Sequence, residues 1–404
     1  MRTYAVINLG CKVNRAESDV YSRFLSDAGL LAASPEIADI VVINTCTVTA
    51  VADKKTRKAV RSAVRANSES SIIVTGCAGS LHKEEFERMS ERVSVHPAAS
   101  MEDIISRLES EDESKASASS IDDIPKKALT ERPALSRYGV KVQDGCDNRC
   151  TYCIIWKARG PERSLPPDKI LLDVRRLAEE GIREIMLTGI NLGRYSSEGH
   201  DLTALLDALL SKGFNCRYRI SSIEPPDISE RLIDAAAEAN GLICRHFHIP
   251  LQSASDKVLK EMGRPYDSAR YLDLIERIRD RIPSVSITTD VIAGFPGESE
   301  ADHEATMQTI RDCGFSKVHV FPYSMREGTP AASRTDQIPP DVKARRARDI
   351  RVLSEEMRRA DLARRSGSIE WAVVESEDSC TTESYHEIEP PAGSEIGSLV
   401  SIRL

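Results

Sequence analysis

Short apolar runs that end in a turn and hand over to a helix-period stretch recur along nearly the whole chain, and this alternation constrains the fold most. Tyr4 to Ile7 ends in Asn8-Leu9-Gly10-Cys11, and a helical stretch follows from about Asn14 to Ala28. Ile40 to Ile43 ends in Asn44-Thr45-Cys46, and Ile72 to Val74 ends in Thr75-Gly76-Cys77. Apolar runs without polar alternation, separated by helices, predict a parallel sheet covered on both faces. The C-terminal ends of such strands share one edge, where open α/β folds place their ligands. Cys11, Cys46 and Cys77, each just past a run, are therefore expected close together in space.

Glu109 to Asp123 holds six acids, one Lys and no aromatic residue, the composition of a solvated linker. Beyond it the alternation resumes. Strands are predicted near Tyr138–Gln143, Glu184–Thr188, Arg217–Ser222, Arg245–Ile249, Val285–Ile292 and Lys317–Tyr323, with helices near 167–180, 201–212, 228–239, 268–281 and 300–313. Six such units predict an open, partial parallel (βα)6 barrel with its chemistry at the strand C-termini. A long Arg-rich helix from Asp341 to about Arg365 follows, and Ser368 to Leu404 alternates apolar and polar residues as short β-strands do. The expected fold class is α/β: residues 1–108 an N-terminal parallel α/β domain, 109–134 a linker, 135–366 the barrel, and 367–404 a small β domain. A chain of 404 residues exceeds a single ordinary core, in keeping with this division.

Composition narrows the setting. Hydrophobic residues at 41% and charged residues at 29% match a soluble globular protein, and no apolar run reaches eighteen residues. The opening MRTYAVINLG reads as a strand and not as a signal peptide, so the expectation is a cytoplasmic protein with no membrane partner. In that reducing compartment ten cysteines point to metal-binding or catalytic use and not to disulfides. A net charge of −8 argues against a wholly basic nucleic-acid binder but leaves room for a local basic footprint.

Cys146-Asp-Asn-Arg-Cys150-Thr-Tyr-Cys153 places three thiols in one loop directly after a strand. Thiolate is the soft ligand of iron–sulfur clusters, and this spacing lets one loop wrap a cluster corner by corner. No Cys or His nearby closes a tetrahedral zinc site, which needs four ligands. Three thiolates on a four-iron cluster leave one iron open. The alternatives are zinc with a distant fourth ligand, or chance clustering. Cys216, Cys244, Cys313 and Cys380 fall in no such pattern and read as buried, neutral cysteines.

This loop, with Tyr152 before its last cysteine, resembles the radical S-adenosylmethionine superfamily, and further blocks resemble its methylthiotransferases. They are LGCKVNRAESD (Leu9–Asp19), NTCTVT (Asn44–Thr49), TGC (Thr75–Cys77), DGCDNRCTYCIIWKARGPERS (Asp144–Ser164), LTGINLG (Leu187–Gly193), SSIEPPD (Ser221–Asp227), HFHIPLQSAS (His246–Ser255), TTDVIAGFPGE (Thr288–Glu298) and VFPYSMREGTPA (Val320–Ala331). The resemblance implies two [4Fe-4S] clusters with three Cys ligands each: Cys146, Cys150 and Cys153 for the cluster that cleaves S-adenosyl-L-methionine, Cys11, Cys46 and Cys77 for an auxiliary one. It further implies S-adenosylmethionine contacts from Gly189, Asn191, Gly193, Glu224, Gln252 and Phe295. Trp156 stands where the family usually has Pro, and Ala254 where it usually has Gly. The C-terminal piece resembles a TRAM domain through Thr381–Tyr385 and its last strand, yet carries only Arg403 as a cation after Arg365, which argues against a direct RNA grip there.

The reaction implied is replacement of an unactivated aromatic C–H by S–CH3, with tRNA as substrate. LGCKVN, TGINLG and HFHIPLQ resemble most the branch that acts on N6-threonylcarbamoyladenosine beside the anticodon, giving the 2-methylthio nucleoside. Such chemistry calls for a reductant such as flavodoxin or ferredoxin and a sulfur donor that the sequence does not identify. Lys54, Lys58, Arg61 and Arg65 follow i, i+4, i+7, i+11 and predict one basic helical face for RNA, opposite Val60, Ala63 and Val64. Rival readings are methylthiolation of isopentenyladenosine in tRNA or of a ribosomal-protein aspartate, and, from another class, a non-catalytic iron–sulfur protein that binds RNA or senses redox state.

Overall fold

The computed structural model describes residues 2–97 and 136–404; the expected linker at 109–134 lies outside them. The chain divides into two compact units. One is N-terminal and also takes in Gly145–Asp147 and Cys153–Pro161; the other holds the rest of the described chain.

In the N-terminal unit, β1 (Thr3–Asn8), β2 (Leu31–Ala32), β3 (Ile40–Thr45), β4 (Ser71–Thr75) and β5 (Val93–Val95) form one parallel sheet in the order β2-β1-β3-β4-β5. The apolar runs are continuous because both faces are covered. Val41, Ile43, Ile72 and Val74 face a core that includes Val60 and Ala63 of helix Ala50–Ala66. Ile40, Val42 and Ile73 face the other way, onto Tyr21 and Leu25 of helix Lys12–Asp27. The two short edge strands were not predicted; at two and three residues they carry no readable period.

In the second unit, β6 (Arg137–Lys141) is followed by a small antiparallel pair, β7 (Gln143–Asp144) with β8 (Arg163–Ser164). Then come β9 (Glu184–Thr188), the short hairpin of β10 (Ser196–Ser197) and β11 (His200–Asp201), β12 (Arg217–Ile220), β13 (His246–His248), β14 (Ser286–Ala293) and β15 (Lys317–Pro322). Strands β6, β9 and β12 pair in parallel, as do β13, β14 and β15, and the bridges Tyr218–Ile243 and Ser222–His248 join the two sets in chain order. That is the expected six-strand parallel barrel, with no pairing of β6 to β15 among the described residues. Helices Ser268–Arg281 and Glu300–Cys313 match their predicted limits; helix Asp256–Met262 was not predicted.

The C-terminal sheet runs β18-β17-β16-β19, antiparallel, from β16 (Ile369–Ser376), β17 (Ser379–Thr382), β18 (Glu387–Ile388) and β19 (Leu399–Arg403). It is tied to the barrel at the starts of the barrel strands. Glu184 is buried between Arg217 and Arg219, each Nε donating to it at 2.7 Å. The same guanidiniums donate to the backbone carbonyls of Trp371, Thr382 and Glu383 at 2.8, 2.9 and 3.0 Å. The Tyr385 ring, 5.0 Å from the Arg219 guanidinium, stacks on His246 at 4.8 Å. The Thr381–Tyr385 segment thus closes the end of the barrel opposite the strand C-termini.

Candidate functional site

Each N-terminal cysteine sits just past a parallel strand, on the edge where the strand-end argument places it. Cys11 precedes helix Lys12–Asp27 and is exposed; Cys46 follows β3 and is buried; Cys77 is buried in the first turn of helix Gly76–Leu81. The three thiols lie within electrostatic reach of one another. Burial raises the Cys46 thiol pKa and, opposed by Arg159, pushes that of Cys77 up to about 12. Iron ligation requires thiolate, and a bound metal's own charge expels such protons. Around the triad, buried amides set the strand ends. Cys11 Sγ donates to Asn14 Oδ1 at 3.3 Å, and Asn14 Nδ2 donates to Asn44 Oδ1 at 2.7 Å. Gly76 has φ +84°, and a Cβ there would stand 2.4 Å from the Thr45 carbonyl oxygen, so only glycine fits.

The second triad lies on the loop between β7 and β8. Gly145, with φ +75°, begins it; a Cβ would stand 1.9 Å from the Pro161 carbonyl oxygen. Arg149 adopts φ +52°. Thr151 holds the loop to helix Asp256–Met262: its N–H donates to the Met262 carbonyl at 3.0 Å and its hydroxyl to the Glu261 carbonyl at 2.7 Å. Cys150 is buried and its Sγ accepts from Arg264 Nη1 at 3.2 Å; Cys153 Sγ accepts from the Ile155 amide at 3.4 Å. Arg264 also pairs with Glu224 and stands over the Tyr266 ring. Burial lowers the pKa of its guanidinium, but Tyr152, Tyr266 and Cys150 outweigh this and raise it.

The residues expected to contact S-adenosylmethionine fall at the strand C-termini, with differing freedom to do so. Asn191, after β9, is buried; its side-chain amide donates to Glu162 at 2.8 Å while its Oδ1 has no hydrogen-bond partner. Ser221 Oγ after β12 and Tyr323 Oη after β15 are likewise buried and unpartnered. Gln252 holds φ +63°, a conformation non-glycine residues rarely adopt. Gly189 and Gly193 are small for internal reasons: a Cβ at Gly189 would press on Gln143 Oε1 at 2.8 Å, and one at Gly193 on Asp227 Cβ at 2.4 Å. Two expectations meet resistance. The Glu224 carboxylate, expected to accept from a ligand, is already engaged by Arg264. The Phe295 ring is 0% exposed among Val258, Met262, Tyr323 and Ala331, so it is packed into that cluster and closed to a ligand.

Lys54, Lys58, Arg61 and Arg65 are all exposed on helix Ala50–Ala66, whose buried face is Asp53, Thr56, Val60 and Ala63. The intervening Arg57 is tied to Glu85 at 2.6 Å. Val48 and Val51, exposed at 47% and 62%, stand between Cys46 and this face.

The donor set suits iron–sulfur clusters better than single ions. Six thiols in two sets of three are the soft donors such clusters take, and among the described residues no three His, Cys, Asp or Glu side chains group closely enough to hold a single ion. A four-iron cube holds its thiolates farther apart. Unpartnered polar atoms buried at three strand ends fit a polar ligand such as S-adenosylmethionine. Sequence reasoning passed over Arg264, Arg159 and Glu17. Each is an unremarkable charge in its local segment, and only the fold buries it against a cysteine or a guanidinium.

Comparison with known proteins adds two family matches, three relatives and one solved structure. The Radical SAM superfamily matches residues 140–310 and the Uncharacterized protein family UPF0004 residues 3–96. Threonylcarbamoyladenosine tRNA methylthiotransferase MtaB of Bacillus subtilis is 36% identical over 88% of this chain and 81% of its own length; that of Chlamydia pneumoniae is 36% identical over 92% and 87%. A tRNA-2-methylthio-N(6)-dimethylallyladenosine synthase of Saccharopolyspora erythraea is 36% identical over 85% and 72%. Among solved structures, the radical S-adenosylmethionine methyltransferase TsrM of Kitasatospora setae aligns with TM-score 0.58 over 82% of this chain and 77% of its own, at 14% identity, a likeness of fold alone.

Proposed function

This chain belongs to the radical S-adenosylmethionine tRNA methylthiotransferases, and from that premise we propose that it converts N6-threonylcarbamoyladenosine beside the tRNA anticodon into its 2-methylthio derivative. The observation that carries this reading is the pair of three-cysteine sets, one gathered from parallel strand ends and one held on a loop beside the barrel strands. Adenine C2 carries neither an acidic proton nor a leaving group, so ionic catalysis offers no route to a C–S bond. When bound, the two clusters and S-adenosylmethionine supply an electron, a deoxyadenosyl radical and a methylated sulfur.

The chain's own residues bind, hold and exclude. In this proposal Cys146, Cys150 and Cys153 ligate the cluster that takes S-adenosylmethionine, and Cys11, Cys46 and Cys77 ligate the auxiliary one. Asn191 and Gln252 offer polar groups at the strand ends, beside the orphaned oxygens of Ser221 and Tyr323. Gly189, Gly193, Glu224 and Phe295 shape those ends, Glu224 through its hold on Arg264. Lys54, Lys58, Arg61 and Arg65 contact tRNA phosphates. A flavodoxin- or ferredoxin-type reductant serves the reaction in the cytoplasm; no helix among the described residues is long and apolar enough to cross a membrane.

Mass spectrometry of tRNA nucleosides from a deletion strain tests the assignment. Loss of the 2-methylthio-threonylcarbamoyl nucleoside is expected. Loss of the 2-methylthio-dimethylallyl nucleoside instead would move this chain to the second reading, which relatives of equal identity favour.

A further inference from the structure

Arg159 lies in the helix Ile155–Arg159, six residues beyond Cys153, and is 2% exposed. Its guanidinium engages two side chains of the same unit. Nε donates to Cys77 Sγ at 3.1 Å, while Nη1 and Nη2 donate to the two carboxylate oxygens of Glu17 at 2.5 and 3.1 Å. Glu17 is itself buried and accepts further from Asn44 Nδ2 at 3.3 Å. Asn44 in turn holds Asn14, the acceptor of the Cys11 thiol. One chain of hydrogen bonds therefore runs from Cys77 through Arg159, Glu17, Asn44 and Asn14 to Cys11.

A surface arginine could reach a sulfur by chance. Here both charges are out of water, and a buried ion pair is a weak stabiliser, so stability alone is a poor reason for this arrangement. The arrangement is also polar in a definite sense. The guanidinium stands against Cys77 Sγ with the carboxylate on its far side, so the positive end of the pair faces the sulfur. Hydrogen bonds to cysteine sulfur and nearby charge are main levers on iron–sulfur reduction potentials. A cluster on three thiolates is net negative and becomes more so on reduction, so a donor and a positive charge at one sulfur favour the reduced form.

We infer that Arg159 is a positioning residue for the auxiliary cluster, fixing the Cys77 ligand and raising the cluster's reduction potential through its N–H···S bond, with Glu17 opposing it. This rests on the proposed assignment of Cys11, Cys46 and Cys77 as cluster ligands. The segment that presents Cys153 thereby also sets the electronic state of the other cysteine set.

The test uses the full chain with Cys146→Ala, Cys150→Ala and Cys153→Ala, reconstituted with ferrous iron and sulfide so that only the auxiliary cluster assembles, and titrated potentiometrically by EPR. Arg159→Gln is expected to lower the midpoint potential. Glu17→Gln, which removes the negative charge facing the guanidinium, is expected to raise it. Arg159→Lys, which keeps the charge but cannot serve both partners, is expected to fall between Arg159→Gln and the unsubstituted background. A structural role alone would lower cluster occupancy or the apo-protein Tm without moving the two potentials in opposite directions. Unchanged potentials, or shifts of one sign in both variants, overturn the inference. If the background chain assembles no cluster, and Cys11→Ala changes nothing further, the ligand assignment itself has failed and the inference with it.

Discussion

The two cysteine sets carry the same device, an arginine held between a sulfur and a glutamate, yet one of these ion pairs is sealed and the other partly open. In each, a buried arginine donates to one cysteine sulfur and pairs with a glutamate: Arg159 with Cys77 and Glu17, Arg264 with Cys150 and Glu224. The Glu17 side chain is 2% exposed, whereas that of Glu224 is 20% exposed at a barrel strand end. A sealed pair keeps its partners and can only tune what it touches. An open pair can trade one partner for an arriving ligand. Under the proposed assignment, this is the difference expected between a cluster that presents the methylated sulfur and one that binds S-adenosylmethionine anew each turnover.

Removing ligands breaks the comparison most severely. Cys150→Ala is expected to abolish deoxyadenosine formation by on the order of 10³-fold or more, whereas Cys11→Ala keeps S-adenosylmethionine cleavage and loses only methylthiolation. Chromatography of deoxyadenosine and of tRNA nucleosides from the same reactions reads both; loss of cleavage in Cys11→Ala would end the division of labour. Next, Arg264→Ala leaves Glu224 without its guanidinium and is expected to cost about 3 kcal/mol in denaturant unfolding, with Arg264→Lys recovering part of it. A stability unchanged in Arg264→Ala would mean that Glu224 relaxes into solvent at no cost.

Backbone substitutions sharpen the comparison set by set. Gly145→Ala and Gly76→Ala both force a Cβ onto a carbonyl oxygen at positive φ, costing at least about 1–3 kcal/mol of local strain. Gly145→Ala should deplete iron at the loop set and Gly76→Ala at the strand-end set, each read by iron content in a background lacking the other three cysteines. The smallest effect separates cysteine chemistry from the scaffold. Burial pushes the Asp361 carboxyl pKa up, but hydrogen bonds from His386 and Arg365 hold it down to about 2 from 3.8. A carboxyl depressed on folding stabilises above its unfolded value, so Tm should fall as pH drops from 3.8 toward about 2. Asp361→Asn should flatten that acid limb while leaving S-adenosylmethionine cleavage at neutral pH unchanged.

How much of this could be read from the sequence follows the range of the interactions involved. Glu184–Thr188 and Ser268–Arg281 were predicted to the residue because period and flanking turns are local. The loop Cys146–Cys153 was legible for the same reason. The strand-end cysteines required one more step, the rule that parallel strands share an edge, and the sheet order bears that step out. The arginine–sulfur contacts were out of reach. Arg159 meets Cys77 across 82 residues and Arg264 meets Cys150 across 114, and nothing in either segment marks the charge as buried. Gly189 and Gly193 were read as places for a ligand, but the crowding there comes from Gln143 and Asp227.

The seating of Thr381–Tyr385 on Arg217 and Arg219 changes what the C-terminal sheet can be in inheritance and in engineering. Those two guanidiniums lie inside the barrel wall and donate to backbone carbonyls of the C-terminal segment as well as to Glu184. A shortened gene ending near residue 366 would remove those carbonyls and uncover the barrel end, leaving the two cations only Glu184 and water, so the barrel is expected to lose stability without its tail. Recombination that swaps this tail between relatives would succeed only when the barrel keeps Arg217 and Arg219 with Glu184 and the incoming tail offers the matching carbonyls.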